Sequence, residues 1–167
     1  VNETALSNLQ SLAQICRNIS DSPIEHRYRR SLVDAAVRAA STIVSTGGTK
    51  AFCSTGSILQ WNRFWSDEAT DLYYNLRGSK THRQTVHVRI DGRRPWTLEH
   101  RYPLNIIKHE IYDGASPQAI VDWMLQYGYS VVILHSQQPE LQSCKTLEAA
   151  KDRYANISFK VHPHFEQ

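Results

Sequence analysis

The sequence has little cysteine, glycine or proline, and no long apolar run. Its three cysteines, Cys16, Cys53 and Cys144, are odd in number and far apart. That spacing fits neither a disulfide framework nor a CxxC metal site, and it points to a reducing compartment and a cytoplasmic protein. Seven glycines and six prolines in 167 residues exclude collagen-like or linker-like character. No stretch reaches the roughly 18–20 apolar residues a membrane helix needs, so no membrane partner is expected. The signatures GxSxG, HExxH and GxGxxG are missing too. Ser45-Thr46-Gly47-Gly48-Thr49-Lys50 has the glycines of a phosphate loop without its GxxxxGK[ST] spacing, and reads as a helix stop. The chain starts at Val1, which reads as a trimmed product or a part of a longer one, and no basic-then-apolar signal segment is visible.

What is present is the balance of a globular chain, 41% hydrophobic and 21% charged. The length suits a single domain over 1–167, with a helical lobe over 1–78 and a mixed lobe over 79–167 as the alternative. Apolar residues recur at helical spacing over 3–19 (Leu6, Leu9, Leu12, Ala13, Ile15) and over 24–45, where Ala35, Ala36, Ala39 and Ala40 make a narrow face. The period continues over 56–77 with Trp61, Phe64, Trp65, Tyr73 and Tyr74, an aromatic tract that reads as core. Alternation of Val86, Val88 and Ile90 predicts a strand over 84–91, turned by Asp91-Gly92 into a second strand ending at Glu99-His100. Pro103 opens a helix to Tyr112, and Ser116-Pro117 opens another that Gly128 stops. Val131–Leu134 is a buried-strand run with His135 at its end. Helical turns over Pro139–Ser143 and Leu147–Tyr154 and a last strand through Ile157, Phe159 and Val161 complete the chain. The expected class is α+β, a helical N-terminal half followed by a small antiparallel sheet with packed helices.

Charge is unevenly spread. The net charge is +3 with neutral histidines. Between residues 77 and 101 there are seven basic residues, Arg77, Lys80, Arg83, Arg89, Arg93, Arg94 and Arg101, against Asp91 and Glu99. That local surplus of five exceeds the whole chain's, so the rest is net acidic. A basic stripe of this kind faces polyanions, and the partner it suggests is DNA or RNA. His26-Arg27-Tyr28-Arg29-Arg30 is a second basic cluster, set at a helix start where cations oppose the macrodipole.

The most specific local pattern is Thr97-Leu98-Glu99-His100-Arg101-Tyr102-Pro103-Leu104. A strand end delivers a carboxylate and an imidazole, and a proline-started helix follows. Glu99-His100-x-x-Pro103 resembles the first motif of the His-Asn-His (ββα-metal) nucleases. The resemblance implies a divalent metal, Mg or Mn or else Zn, with Glu99 as its ligand and His100 as the general base that deprotonates the attacking water. The family's central asparagine and final histidine have no placed equivalent; Asn105 is close to His100, and His135 and Glu140 are the candidate further ligands. The implied function is a metal-dependent endonuclease. The other readings are a non-catalytic nucleic-acid-binding module on Arg77–Arg101, and a protein-interaction or regulatory domain whose N-terminal helices form a homodimer. Asn105 and His109 lie one helical turn apart, a metal-compatible spacing that is also common on solvated helices. Glu99 paired with an arginine beside a half-buried His100 is the purely structural alternative.

Overall fold

The computed structural model describes residues 1–50, 55–141 and 144–166, and the side chains of 55–57 and 147 are outside the description. Cys53, Ser54 and the end of the helical turn expected at Pro139–Ser143 therefore lie outside the described residues. The elements run α1 (Glu3–Ser20), α2 (His26–Ser45), α3 (Thr55–Trp61), β1 (Phe64–Ser66), α4 (Asp67–Arg77), α5 (His82–Val86), β2 (Trp96–His100), α6 (Leu104–Tyr112), α7 (Pro117–Tyr127), β3 (Ser130–Leu134), α8 (Leu147–Lys151) and β4 (Phe159–Val161), with short 3-10 turns at 135–140, 152–154 and 163–165. The fold is α+β, with a helical N-terminal half.

Helix ends follow local chemistry. Asn2 caps α1 and Ser116 caps α7, each side chain accepting from a backbone N–H three residues on, and Pro117 sits in the first turn of α7. Ser66 caps α4, whose first turn carries Asp67 and Glu68 and whose last carries Arg77, both favourable to the macrodipole.

Two expectations need correction. The helix expected over 56–77 is broken by Asn62, whose Nδ2 donates to the Ser130 carbonyl at 3.1 Å and whose Oδ1 accepts from Phe64 N–H at 2.8 Å. The break turns Phe64–Ser66 into strand β1. The strand expected over 84–91 is instead the short helix α5, because Thr81 and Gln84 form a reciprocal capping box. The second strand of the expected hairpin is present as β2, but it pairs with β3, and the hairpin itself is reduced to the Ile90–Arg93 bridge around a turn in which Asp91 and Gly92 both have positive φ, 50° and 77°.

The sheet has the order β2-β3-β1-β4. It is mixed and not wholly antiparallel: β2–β3 and β1–β4 are antiparallel, while β1 and β3, joined by a long crossover, run parallel. One face carries Trp65, Trp96, Val132 and Leu98 and packs under Leu59, Ala69, Tyr73 and Val86 of α3, α4 and α5. The other carries Val131, Ile133 and Phe64 and packs under Tyr154 and Ile157. A third core joins Leu9, Ala13 and Cys16 of α1 and Val33, Val37 and Ala40 of α2 to Ile107 and Ile111 of α6 and Ile120 and Met124 of α7. The small residues of α2 permit that close approach. Because α1 and α2 share their core with α6 and α7, residue 78 is not a lobe boundary. Among the described residues no helix is long and apolar enough to cross a membrane.

Candidate functional site

Glu99 and His100 both lie in β2 with ladder partners, Val131 and Ser130. The strand stays extended through both residues, so their side chains leave on opposite faces. The strand end therefore does not deliver the carboxylate and the imidazole to one site, as the resemblance requires. Glu99 faces Arg153, whose Nη2 donates to Oε2 at 3.2 Å, and Gln138, whose Nε2 donates to Oε1 at 2.7 Å. Both oxygens are thus engaged, and the ion pair is largely shielded, 20% and 16% exposed at the two side chains. Among the described residues no group of three or more His, Cys, Asp or Glu side chains could hold a metal ion. With its carboxylate committed to Arg153, Glu99 does not fit a metal-ligand role in this arrangement. Glu140 is exposed on the 3-10 turn, and His135 sits apart from Glu99, lining an open cavity with Ile90, Arg93, Arg94 and Pro95.

His100 faces the helices. It lines a cavity of about 160 Å³ with Arg38, Ser41, Thr42, Ile58, Leu98 and Ser130, and an adjoining one of about 200 Å³ with Arg38, Pro103, Leu104, Asn105 and Lys108. Burial, with the nearby Arg38 and Arg153 charges, lowers its pKa to about 4, so its imidazole is neutral at pH 7. Asp34 ties the two rim cations together: Arg38 Nε donates to it at 2.6 Å and Lys108 Nζ at 2.5 Å. These charges hold the Asp34 carboxyl below its ordinary range against the opposing effect of burial. Beyond Lys108, a third cavity of about 250 Å³ is lined by His26, Arg30, Asn105, Lys108, His109 and Tyr112. The second basic cluster and the Asn105–His109 pair, both legible in the sequence, meet there. Arg38, Ser41, Lys108, Ser130, Gln138 and Arg153 carried no sequence signal, since each gains its place only through packing of distant segments.

The basic segment divides. Arg77 ends α4, Lys80 lies in the link to α5, Arg83 is on α5, and Arg89, Arg93 and Arg94 lie between α5 and β2. None of the six approaches a carboxylate within ion-pair distance among the described residues. Arg101 lies beyond β2, its guanidinium 4.6 Å from the Phe159 ring centre and 5.5 Å from that of Tyr154. It is a packing residue of the Glu99 face, a correction to the single stripe read from sequence.

Beside α4, His82 and His164 stack with ring centres 4.0 Å apart, next to the fully buried His162. His82 donates from Nε2 to the Gln60 carbonyl and accepts at Nδ1 from Tyr73, both at 2.9 Å, so its two nitrogens are used within the fold. On α1, Leu6 and Ile15 are exposed, whereas Ile58, Leu59, Trp65 and Ala69 of the aromatic tract are buried. No family model, no curated protein and no solved structure matches the chain.

Proposed function

We propose that the protein binds nucleic acid through the surface built from Arg77, Lys80, Arg83, Arg89, Arg93 and Arg94. The observation that supports this reading is that six cations follow one another from the end of α4 to the start of β2, none of them within ion-pair distance of a carboxylate among the described residues. Such a surface gathers phosphates and releases counterions, so binding weakens steeply with salt. The test is fluorescence anisotropy with single- and double-stranded DNA and with RNA between about 50 and 200 mM salt. Binding with a steep salt slope, reduced in Arg83→Gln/Arg89→Gln/Arg93→Gln, supports the reading. A flat salt response, or equal affinity in the variant, rejects it.

A hydrolytic reading keeps one supporting observation: a neutral imidazole, His100, in a cavity with Asn105 and between the cations Arg38 and Lys108. In it His100 accepts a proton from water while the cations hold the phosphate. The divalent metal rests on the sequence resemblance alone, and no step is assigned to it. Cleavage of plasmid DNA and a structured RNA, with Mg²⁺ or Mn²⁺ and with chelator, for wild type and His100→Ala, separates this reading from binding alone. Cleavage that is lost in the variant favours hydrolysis, and retention of nucleic acid by both proteins without cleavage favours the binding module.

A further inference from the structure

Ser130 stands directly opposite His100 in the β2–β3 ladder, so both side chains leave the sheet on the same face. Ser41 reaches the same place from α2, and the two serines line the 160 Å³ cavity with Arg38, Thr42 and His100. Ser41 is 2% exposed and Ser130 0%, and neither hydroxyl has a hydrogen-bond partner among the described residues. Buried hydroxyls left unpaired carry a desolvation cost that a hydrogen-bonding ligand would relieve. A helical serine ordinarily donates to the carbonyl four residues back, as Ser45 does to Ser41 at 2.7 Å. Ser41 does not, and its hydroxyl is left without a partner at the wall of the cavity that the residue lines.

The chemistry around these hydroxyls selects a ligand class. Asp34 holds Arg38 through Nε alone, which leaves the terminal nitrogens of the guanidinium for another acceptor. Lys108, on the other Asp34 oxygen, flanks the adjoining cavity. Two cations against one carboxylate make the mouth positive, which disfavours a cation inside. Donors approach from a helix, a strand and an arginine, a spread that suits an anion with several oxygens more than a planar carboxylate. Ile58 and Leu98 supply apolar walls that limit competing water.

We propose that this cavity binds a phosphoryl group, as free phosphate or as the terminal phosphate of a nucleic-acid strand, with Ser41 and Ser130 donating hydrogen bonds and Arg38 supplying the charge. The proposal deepens the hydrolytic reading, whose Arg38 and His100 also line this cavity, and does not rest on the basic surface of α4 and α5, because the cavity is lined from α2, α3, β2 and β3.

The test is calorimetric titration of the full chain, in phosphate-free buffer, with inorganic phosphate and with one oligonucleotide carrying a 5′-phosphate, a 3′-phosphate or neither. Wild type is compared with Ser41→Ala, Ser130→Ala and Arg38→Gln, the last at an exposed side chain whose removal leaves the core intact. Each alanine variant is expected to bind phosphate about tenfold more weakly, with an unfolding midpoint no lower than wild type, since it removes an unpaired group. Saturable binding of inorganic phosphate identifies the free anion as sufficient. A gain from the terminal phosphate alone, abolished in the variants, identifies a strand end. No saturable phosphate binding together with no gain from a terminal phosphate, or affinities unchanged in all three variants, overturns the proposal and assigns the hydroxyls to water. The unphosphorylated strand in the same series reports on the α4–α5 surface, so failure of one proposal is distinguishable from failure of the other.

Discussion

Arg153 donates to Glu99 at 3.2 Å from 54 positions further along the chain, while His100, the very next residue, faces the other side of the sheet. The ion pair is shielded; Arg153 Nη1 lies 4.0 Å from Cys144 Sγ, and its buried Nε has no partner among the described residues. Glu99→Ala is therefore expected to leave a poorly solvated guanidinium and to destabilise the fold by about 2–3 kcal/mol. Urea unfolding at pH 7 measures this. Nucleic-acid affinity is expected to be unchanged at temperatures where the variant stays folded. A stable Glu99→Ala protein that loses affinity or cleavage would instead place Glu99 in a functional site.

The two parts of the basic segment separate by mutation. Removing Arg83, Arg89 and Arg93 is expected to lower the slope of log K against log salt by roughly 2–3 units, near one for each phosphate no longer neutralised, with little change in stability. Arg101→Gln is expected to do the reverse. It removes the cation–ring packing on Phe159 and Tyr154 and destabilises by about 1 kcal/mol while the salt slope stays the same. Equal effects of both changes on binding would restore the single stripe.

Acid is expected to unfold the protein through its buried histidines. Burial above all, with His82, His164 and Arg77 nearby, lowers the His162 pKa to about 3, and burial lowers those of His82 and His100 to about 4. In the unfolded chain these rings titrate near pH 6.5. The folded protein thus binds fewer protons than the unfolded one between about pH 6.5 and 4. Stability is complete above that window and falls as pH drops through it. For the fully buried His162 alone the decrease by pH 4.5 is about 2–3 kcal/mol. Urea midpoints measured from pH 7.5 to 4.5 test this, and His162→Gln is expected to lower the midpoint at pH 7 but flatten its decline. Midpoints independent of pH would mean that the rings titrate in the fold as they do in the unfolded chain.

The shared helical core is expected to make unfolding one cooperative event. Ile107 is fully buried where α6 meets the α1–α2 pair. Ile107→Ala is expected to cost about 2–4 kcal/mol and to shift the far-ultraviolet circular dichroism and tryptophan fluorescence transitions together. With Trp123 of α7 replaced by Phe, the fluorescence comes from Trp65 and Trp96 on the sheet and from Trp61 of α3 beside it, so separate transitions in that background would revive a two-lobe division.

The elements that could be read from the chain are those whose ends are set by neighbouring residues. Ser116, Pro117 and Gly128 bound α7 where the sequence places it, and the uninterrupted apolar run marks β3. Capping and burial period act within a few residues, so a single sequence contains them. Thr81 and Gln84 were equally local, but the alternation of Val86, Val88 and Ile90 concealed the capping box that starts α5. Other features depend on residues far apart. The three residues of β1 are a strand only because β3 and β4 pair with them and Asn62 bonds across to Ser130. The sequence by itself determined the α+β class, most helix limits and a concentration of positive charge. Only the tertiary structure decided that Glu99 meets Arg153, that His100 meets Ser41 and Ser130, and that Arg101 leaves the basic surface. Side-chain direction in a strand depends on its ladder partner, and that partner is chosen by the packing of the whole chain.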